Sequence, residues 1–356
     1  MRGVSLAAYR ETSGDRCLPK TRREYCPERA LSGSTAARVL FVDARNGFGY
    51  VARWGAVVKA TVDVVVVGAG PAGLSASLVL GRCRRQVVVV DSGEYRNASS
   101  QMMSGFLSRD GSDPAEVRRI ARGQLAKYPT VQLWQSTVIA AEASDDGFVV
   151  HLGGGEKLLT RYLLLASGVV DGLPKVAGAE DLFGRGVFQC PYCDGYEVAD
   201  RCLVAYGKNS TAVALALELT TWSNDVVLCT DGTSISDDEH QRLTANNIRI
   251  ESRSVRRFVG DGRLDAIEFS DDSELACGAL FFVSRQRQRS DLAASLGCQF
   301  TDSGTVDTDE HEATNVPGLY VAGDASRDVQ FAIVAAAEGA EAAAAINTAL
   351  HQRELV

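Results

Sequence analysis

The chain has 356 residues, 46% of them hydrophobic and 23% charged, with a formal net charge of −8. That length allows two domains with substantial cores, and the acidic balance excludes nucleic acid as the main partner, which would require a basic face. Nine cysteines, scattered apart from one close pair, fit a reducing, cytoplasmic setting with one working pair rather than an extracellular disulfide framework.

Residues 1–60 stand apart: they hold eleven Lys and Arg against five Asp and Glu. They show no clean helical or strand period and no signal-peptide core. A disordered extension or a start assigned too far upstream is expected here, without a function of its own.

From Thr61 the pattern sharpens. Val62 to Val67 is a β-branched run suited to a buried parallel strand. Gly68-Ala69-Gly70-Pro71-Ala72-Gly73 follows at once, and Leu74 to Leu80 continues as an apolar helix. The first glycine makes the tight turn, the second lets backbone approach a pyrophosphate, and the third lets helix and strand pack closely. The helix N-terminus then offers N–H groups to phosphates. A second valine run, Gln86 to Val90, ends in Asp91, about twenty residues on, where a carboxylate can accept a ribose 2′-OH. An acid there disfavours a 2′-phosphate, leaving FAD or NAD.

Two distant stretches select FAD. Tyr162 to Leu165 is an apolar strand running into Ala166, Ser167 and Gly168, as where a chain leaves a flavin domain for an inserted one. Gly318 to Ala322 is another strand, ending in Gly323-Asp324. Its acid can hold a ribityl hydroxyl while the glycine leaves room for the cofactor. Gln330-Phe331-Ala332 then opens a final helix whose N-terminus can stabilise negative charge on a reduced ring. Asn97, soon after Asp91, is a further candidate for the diphosphate or ring edge. The Ala-rich segment from Phe331 to Leu350 carries Glu338 and Glu341 and reads as a helix packed on one face, so no membrane partner is expected.

Between these stretches lies Cys190-Pro191-Tyr192-Cys193-Asp194-Gly195. Cysteines at this spacing can close a small disulfide with tuned thiol pKa values, and the adjacent Asp194 offers a carboxylate for moving protons. Half of a zinc site and a glutaredoxin motif are the competing readings, but the sequence holds no second Cys-x-x-Cys for zinc.

Taken together, Gly68–Gly73 with Asp91, the Cys-x-x-Cys-Asp-Gly block and Gly323-Asp324 resemble the low-molecular-weight thioredoxin reductases and their relatives, over about residues 61–350. The resemblance implies an α/β fold of two Rossmann-like domains, the second inserted into the first. We expect a flavin domain at 61–172 plus 284–356 and an inserted domain at 173–283. It further implies a homodimer, FAD as cofactor, Cys193 as the flavin-side thiol, Cys190 as the exchanging thiol and Asp194 as the proton-transfer group. No thioredoxin-like domain is then needed to explain the cysteines.

The pattern breaks where NADPH should bind. At Leu203 to Thr211 the family carries a glycine-rich turn; this chain keeps Gly207, flanked by Tyr206 and Lys208. A Cβ at such points blocks backbone approach to a pyrophosphate. The next strand runs into Cys229-Thr230-Asp231 instead of the family's His-Arg-Arg. Losing two Arg–phosphate contacts costs roughly 3–6 kcal/mol, so efficient use of NADPH is not expected. NADH is harder to exclude, since Asp231 could accept ribose hydroxyls.

Three functions follow. One is a dithiol oxidase, similar to the enzymes that close the disulfides of gliotoxin and holomycin, with oxygen as acceptor. The second is a reductase of a thioredoxin-like protein, drawing on NAD(P)H or a ferredoxin. The third is a flavin-bound redox sensor. The thiol partner is accordingly a small dithiol or a thioredoxin-like disulfide.

The remaining cysteines, Cys83, Cys202, Cys229, Cys277 and Cys298, are expected to be packed, and the four histidines to lie at the surface. The run Arg285 to Arg289 reads as a solvated joint, with the alternative that its arginines touch an acidic substrate or steady a domain interface.

Overall fold

The computed structural model describes residues 61–355; the segment 1–60, with its expected extension, lies outside the described residues. The valines of Val62–Val67 form the centre of the first sheet because both of its faces are covered, and none of them is more than 8% exposed. On one side Val87–Asp91 and then Val131–Gln135 add in parallel, with Val64 opposite Val87. On the other side lies Lys157–Leu165, also parallel.

The far edge of Lys157–Leu165 is shared. Its first half takes the antiparallel strand Gly147–Leu152, which pairs in turn with Val138–Ser144. Its second half takes the parallel strand Leu319–Val321, register Leu319 to Leu163. The late Gly323-Asp324 segment is thereby brought beside the early glycine turn.

Two helices cover one face of this sheet. Pro71–Arg82 starts at Gly70 with Pro71 in its first turn, where a missing N–H costs nothing. Ala332–Glu354 packs along it so closely that a Cβ on Gly339 would lie 2.0 Å from the Ala72 carbonyl oxygen. The alanines of this last helix are therefore a contact surface. By length and composition alone it could cross a membrane, but Ala335, Ala342, Ala343, Ile346 and Leu350 are buried in the protein core.

The chain leaves and returns through a two-stranded antiparallel ribbon, Val169–Gly172 with Arg285–Gln288. Between them stands a parallel five-stranded sheet in the order Arg249–Glu251, Val226–Cys229, Leu203–Tyr206, Ala279–Phe282, Val187–Phe188. The helix Ser210–Leu219 packs on it, and a three-stranded antiparallel sheet, Val255–Val259, Ala266–Phe269 and Glu274–Ala276, completes the insertion. The fold is thus α/β, with two Rossmann-like domains, the second inserted into the first.

Two minor expectations fail. Cys83 is exposed, because it caps the C-terminal end of its helix rather than lying on its buried face. His151 is half-buried, its Nε2 3.1 Å from Glu142 across the hairpin. Cys229, Cys277 and Cys298 are buried and Cys202 is half-buried.

Candidate active site

One cavity joins the two halves of the molecule. Its walls include Gly68, Gly70, Ala72, Asp91, Asn97, Ser167 and Gly168 together with Cys190, Cys193, Asp194, Asp324, Phe331 and Ala332. Residues far apart in sequence meet here because the first sheet aligns the ends of four parallel strands, Val62–Val67, Val87–Asp91, Lys157–Leu165 and Leu319–Val321.

The glycine turn has two kinds of glycine. Gly68 takes φ +102°, and a Cβ on it would sit 2.5 Å from the Ala166 carbonyl oxygen. A Cβ on Gly73 would fall 1.9 Å from the Gly68 oxygen, so Gly73 serves helix–strand packing and does not line the cavity. At Gly70 no protein atom lies within 4 Å of where a side chain would begin. The bare backbone there faces the cavity, leaving the close approach that a pyrophosphate requires. Asp91 holds this turn: its Oδ1 accepts from Ala69 N at 3.0 Å, and its Oδ2 accepts from Tyr95 Oη and from Arg122. About one acceptor position remains for a ribose hydroxyl, since a carboxylate offers about four and three are filled. The cradle fits FAD. Asn97 turns its Oδ1 to Arg118 Nη1 at 2.9 Å.

Gly323 has a packing role as well: its φ of +87° and the 3.1 Å that a Cβ would leave to Ala72 Cβ show that it makes room for the first helix. Its N–H donates to buried Glu338 Oε2 at 2.7 Å, which fixes the turn before Asp324. Burial pushes the Glu338 carboxyl up to about 7.

Cys190 and Cys193 form a disulfide across a single helical turn, Pro191–Asp194, with S–S 2.02 Å. Cys193 N and Asp194 N both donate to the Cys190 carbonyl, at 3.1 and 3.2 Å. Gly195 continues the turn beneath Trp222, where a Cβ would meet the indole at 2.8 Å. Tyr192 stands edge-on to Trp222 and to Phe331, giving the disulfide an aromatic border drawn from both domains. Burial, then the negative charge of Glu197, pushes the Asp194 carboxyl up to about 7. A group poised there exchanges protons readily near neutrality.

Sequence reasoning passed over the residue next to Asn97. Arg96 directs Nε and Nη2 to the two oxygens of Asp171 at 2.7 and 2.8 Å, and Nη1 to Asp324 Oδ2 at 2.8 Å. Its other two N–H groups reach Gln330 Oε1 at 2.6 Å and Gln189 Oε1 at 3.0 Å. Burial pushes the Asp324 carboxyl up and Arg96 opposes this. In the run 285–289 it is mainly the glutamines that bridge: Gln286 and Gln330 exchange reciprocal amide bonds at 2.7 Å, and Gln288 reaches the Ala325 carbonyl at 2.9 Å. Arg289 lines the cavity, while Arg285 and Arg287 are exposed.

The second nucleotide position has closed on itself. Asp231 Oδ2 accepts from Tyr206 Oη at 2.8 Å and pairs with Lys208 Nζ at 2.9 Å, and its Oδ1 accepts from Val255 N at 2.8 Å. The Tyr206 ring packs edge-on against Phe258. Asp231 thus has three donors, as Asp91 does; what does not fit a nicotinamide dinucleotide is the turn, where Tyr206 and Lys208 carry side chains beside Gly207 in place of the bare backbone that Gly70 offers in the first site.

The family model of pyridine nucleotide-disulphide oxidoreductases matches residues 62–339. Thioredoxin reductase tcpT of Claviceps purpurea (strain 20.1) is 32% identical over 276 residues, 74% of this chain and 86% of the relative. The crystal structure of HlmI superposes with a TM-score of 0.80 at 38% identity, covering 83% of this chain and 94% of that one. A putative thioredoxin reductase, TrxB from Bacillus anthracis, gives 0.79 at 32% identity, with 82% and 99% covered.

Proposed function

As this chain belongs to the pyridine nucleotide-disulphide oxidoreductases, and is an FAD-dependent, thioredoxin reductase-like enzyme acting on sulfur groups, we propose that it oxidises a dithiol through Cys190–Cys193 with dioxygen as the final acceptor. The observation that carries this reading is the second nucleotide position, where Tyr206 and Lys208 stand in the turn and bind Asp231 with their own side chains, together with an intact cysteine pair at the cavity.

In this reading a substrate thiolate attacks Cys190 Sγ, the Cys190–Cys193 bond breaks, and Cys193 is released as a thiolate. The second substrate thiolate attacks the mixed disulfide at the substrate sulfur, so the substrate leaves as its own disulfide and Cys190 as a thiolate. Asp194 accepts a proton as the dithiol ionises. FAD, held in the cradle, would supply the two-electron acceptor for the reduced cysteine pair, with dioxygen as the terminal oxidant and hydrogen peroxide as its product. Gly68, Gly70 and Ala72 with the helix start would hold the pyrophosphate, Asp91 the ribose and Asp324 the ribityl chain. Asn97, Ser167, Gly168, Phe331 and Ala332 would border the rest.

Anaerobic mixing tests the proposal. Dithiothreitol should bleach the visible flavin band and, in air, yield one peroxide per dithiol oxidised, while NADPH and NADH leave the band unchanged. Rapid bleaching by either nicotinamide would overturn it.

The name of the Claviceps relative supports a second reading, a thioredoxin-disulfide reductase fed by NAD(P)H or a ferredoxin. Reduction of the flavin by such a donor, followed by reduction of a thioredoxin-like disulfide, would establish it. For either activity we expect a cytoplasmic homodimer, to be checked by fractionation and sedimentation velocity.

A further inference from the structure

Arginine carries five N–H donors in a rigid planar fork. At Arg96 all five are used, and each reaches a residue at the cavity or the domain joint. Asp171 lies on the outgoing strand of the crossover ribbon, and Gln189 immediately precedes Cys190. Asp324 ends the flavin-side strand segment, and Gln330 precedes the last helix. The side chains of Arg96, Asp171 and Asp324 are 16%, 4% and 18% exposed, so these bonds are made largely out of water. Gln330 extends the network to Gln286 on the returning ribbon strand.

A buried polar network with every donor satisfied is rigid and specific, whereas a partly satisfied one is costly. The guanidinium therefore has one low-energy arrangement, in which the exchange disulfide, both ribbon strands and the Asp324 end of the cavity are held in register. We propose that Arg96 is a positioning residue for the reaction: it holds the Cys190–Cys193 turn against the flavin end of the cavity through Gln189, so that electrons pass from the sulfur pair to the cofactor. The inference rests on the dithiol-oxidising reading for its kinetic arm and on geometry alone for its structural arm.

The test uses full-length, flavin-loaded protein and two substitutions. Arg96→Met keeps the length of the side chain and removes every donor. Gln189→Leu cuts the tie to the cysteine turn while leaving Arg96 paired with Asp171 and Asp324. Hydrogen exchange followed by mass spectrometry should show faster exchange over 187–194 in both variants, with 62–67 unchanged. Anaerobic bleaching by dithiothreitol should slow by roughly 10²-fold in Arg96→Met, the scale of a misplacement of about 1 Å, with flavin content retained. Gln189→Leu should slow it by roughly tenfold, and Arg96→Lys should recover part of the rate because it restores charge without the fork.

A general structural role would lower flavin content or stability without separating them from the bleaching rate. Wild-type bleaching in Gln189→Leu with flavin retained would overturn the proposal, and this variant decides the matter if Arg96→Met does not fold. If wild-type protein itself were not bleached by dithiols, the functional reading would fail first. Unchanged exchange over 187–194 in Gln189→Leu would then overturn the positioning role independently.

Discussion

The hydroxyl of Tyr206 donates to Asp231 at 2.8 Å, so the acid at the end of the second sheet's central strands is held by the protein's own side chains. Burial pushes the Asp231 carboxyl up, yet bonds from Lys208, the Val255 amide and Tyr206 outweigh it and hold it below the usual range. A depressed carboxyl stabilises the fold above its unfolded pKa, and the gain disappears as pH falls through the folded value. Asp231→Ala should therefore cost about 1–3 kcal/mol at pH 7, and less as the solution is acidified through the folded value. Urea melts across that range are the measurement; a loss independent of pH would contradict it.

Gly70 and Gly73 should behave oppositely. Gly73→Ala places a methyl 1.9 Å from a backbone oxygen and should destabilise the flavin-free protein by about 1–3 kcal/mol or more. Gly70→Ala meets no protein atom within 4 Å. It should melt within about 1 kcal/mol of wild type, yet bind FAD at least about tenfold more weakly because its methyl faces the pyrophosphate path. Thermal melts of flavin-free protein paired with fluorescence titration of FAD separate the two cases. Equal flavin affinity in Gly70→Ala would remove the phosphate role.

What was legible in the sequence was what is local. Valine runs, glycine spacing and the cysteine pair each declare themselves within a few residues, because strand burial, turn geometry and ring closure are short-range constraints. Arg96 did not declare itself: its partners Asp171, Gln189, and the pair Asp324 and Gln330 come from three separate segments, and the fold alone brings them together. Gly323 has a second role that the sequence hid, since the neighbour it accommodates, Ala72, lies about 250 residues earlier in a helix whose packing no spacing reveals. Asp231 showed its identity but not its partners.

Cys190→Ser and Cys193→Ser should each leave FAD bound and abolish dithiol turnover, because the exchange pair lines the cavity without forming the glycine cradle. Absorbance at the flavin band and peroxide release are the two readouts. Turnover persisting in either serine variant would defeat the assignment of the pair.

Asp194 should set a limb in the pH profile. Its carboxyl, pushed up to about 7 by burial and by Glu197, is neutral below that value and takes protons only above it. The kcat/KM for a dithiol should thus fall as pH drops below about 7, separately from the limb of the substrate thiols. Asp194→Asn should remove this limb and lower the rate by roughly 10²-fold. A limb near 7 surviving in the variant would assign it elsewhere.

Glu338 makes a prediction about stability. Its folded pKa of about 7 lies above the ordinary 4.5, so between these values the native state keeps a proton that the unfolded chain has lost. Stability should fall as pH rises through this window, and Glu338→Gln should flatten the slope. Chemical denaturation at several pH values checks the sign; a slope unchanged by the substitution would refute it.

The crossover ribbon has a further meaning. Gly172 and Arg285 are register partners, so the excursion of more than a hundred residues between them begins and ends at neighbouring positions. Such a graft places no strain on its host when its contents change. The two host segments therefore stay side by side whatever fills the guest, so a substitution inside the inserted sheet reaches the host's folding only through this doorway and the Arg96 network beside it.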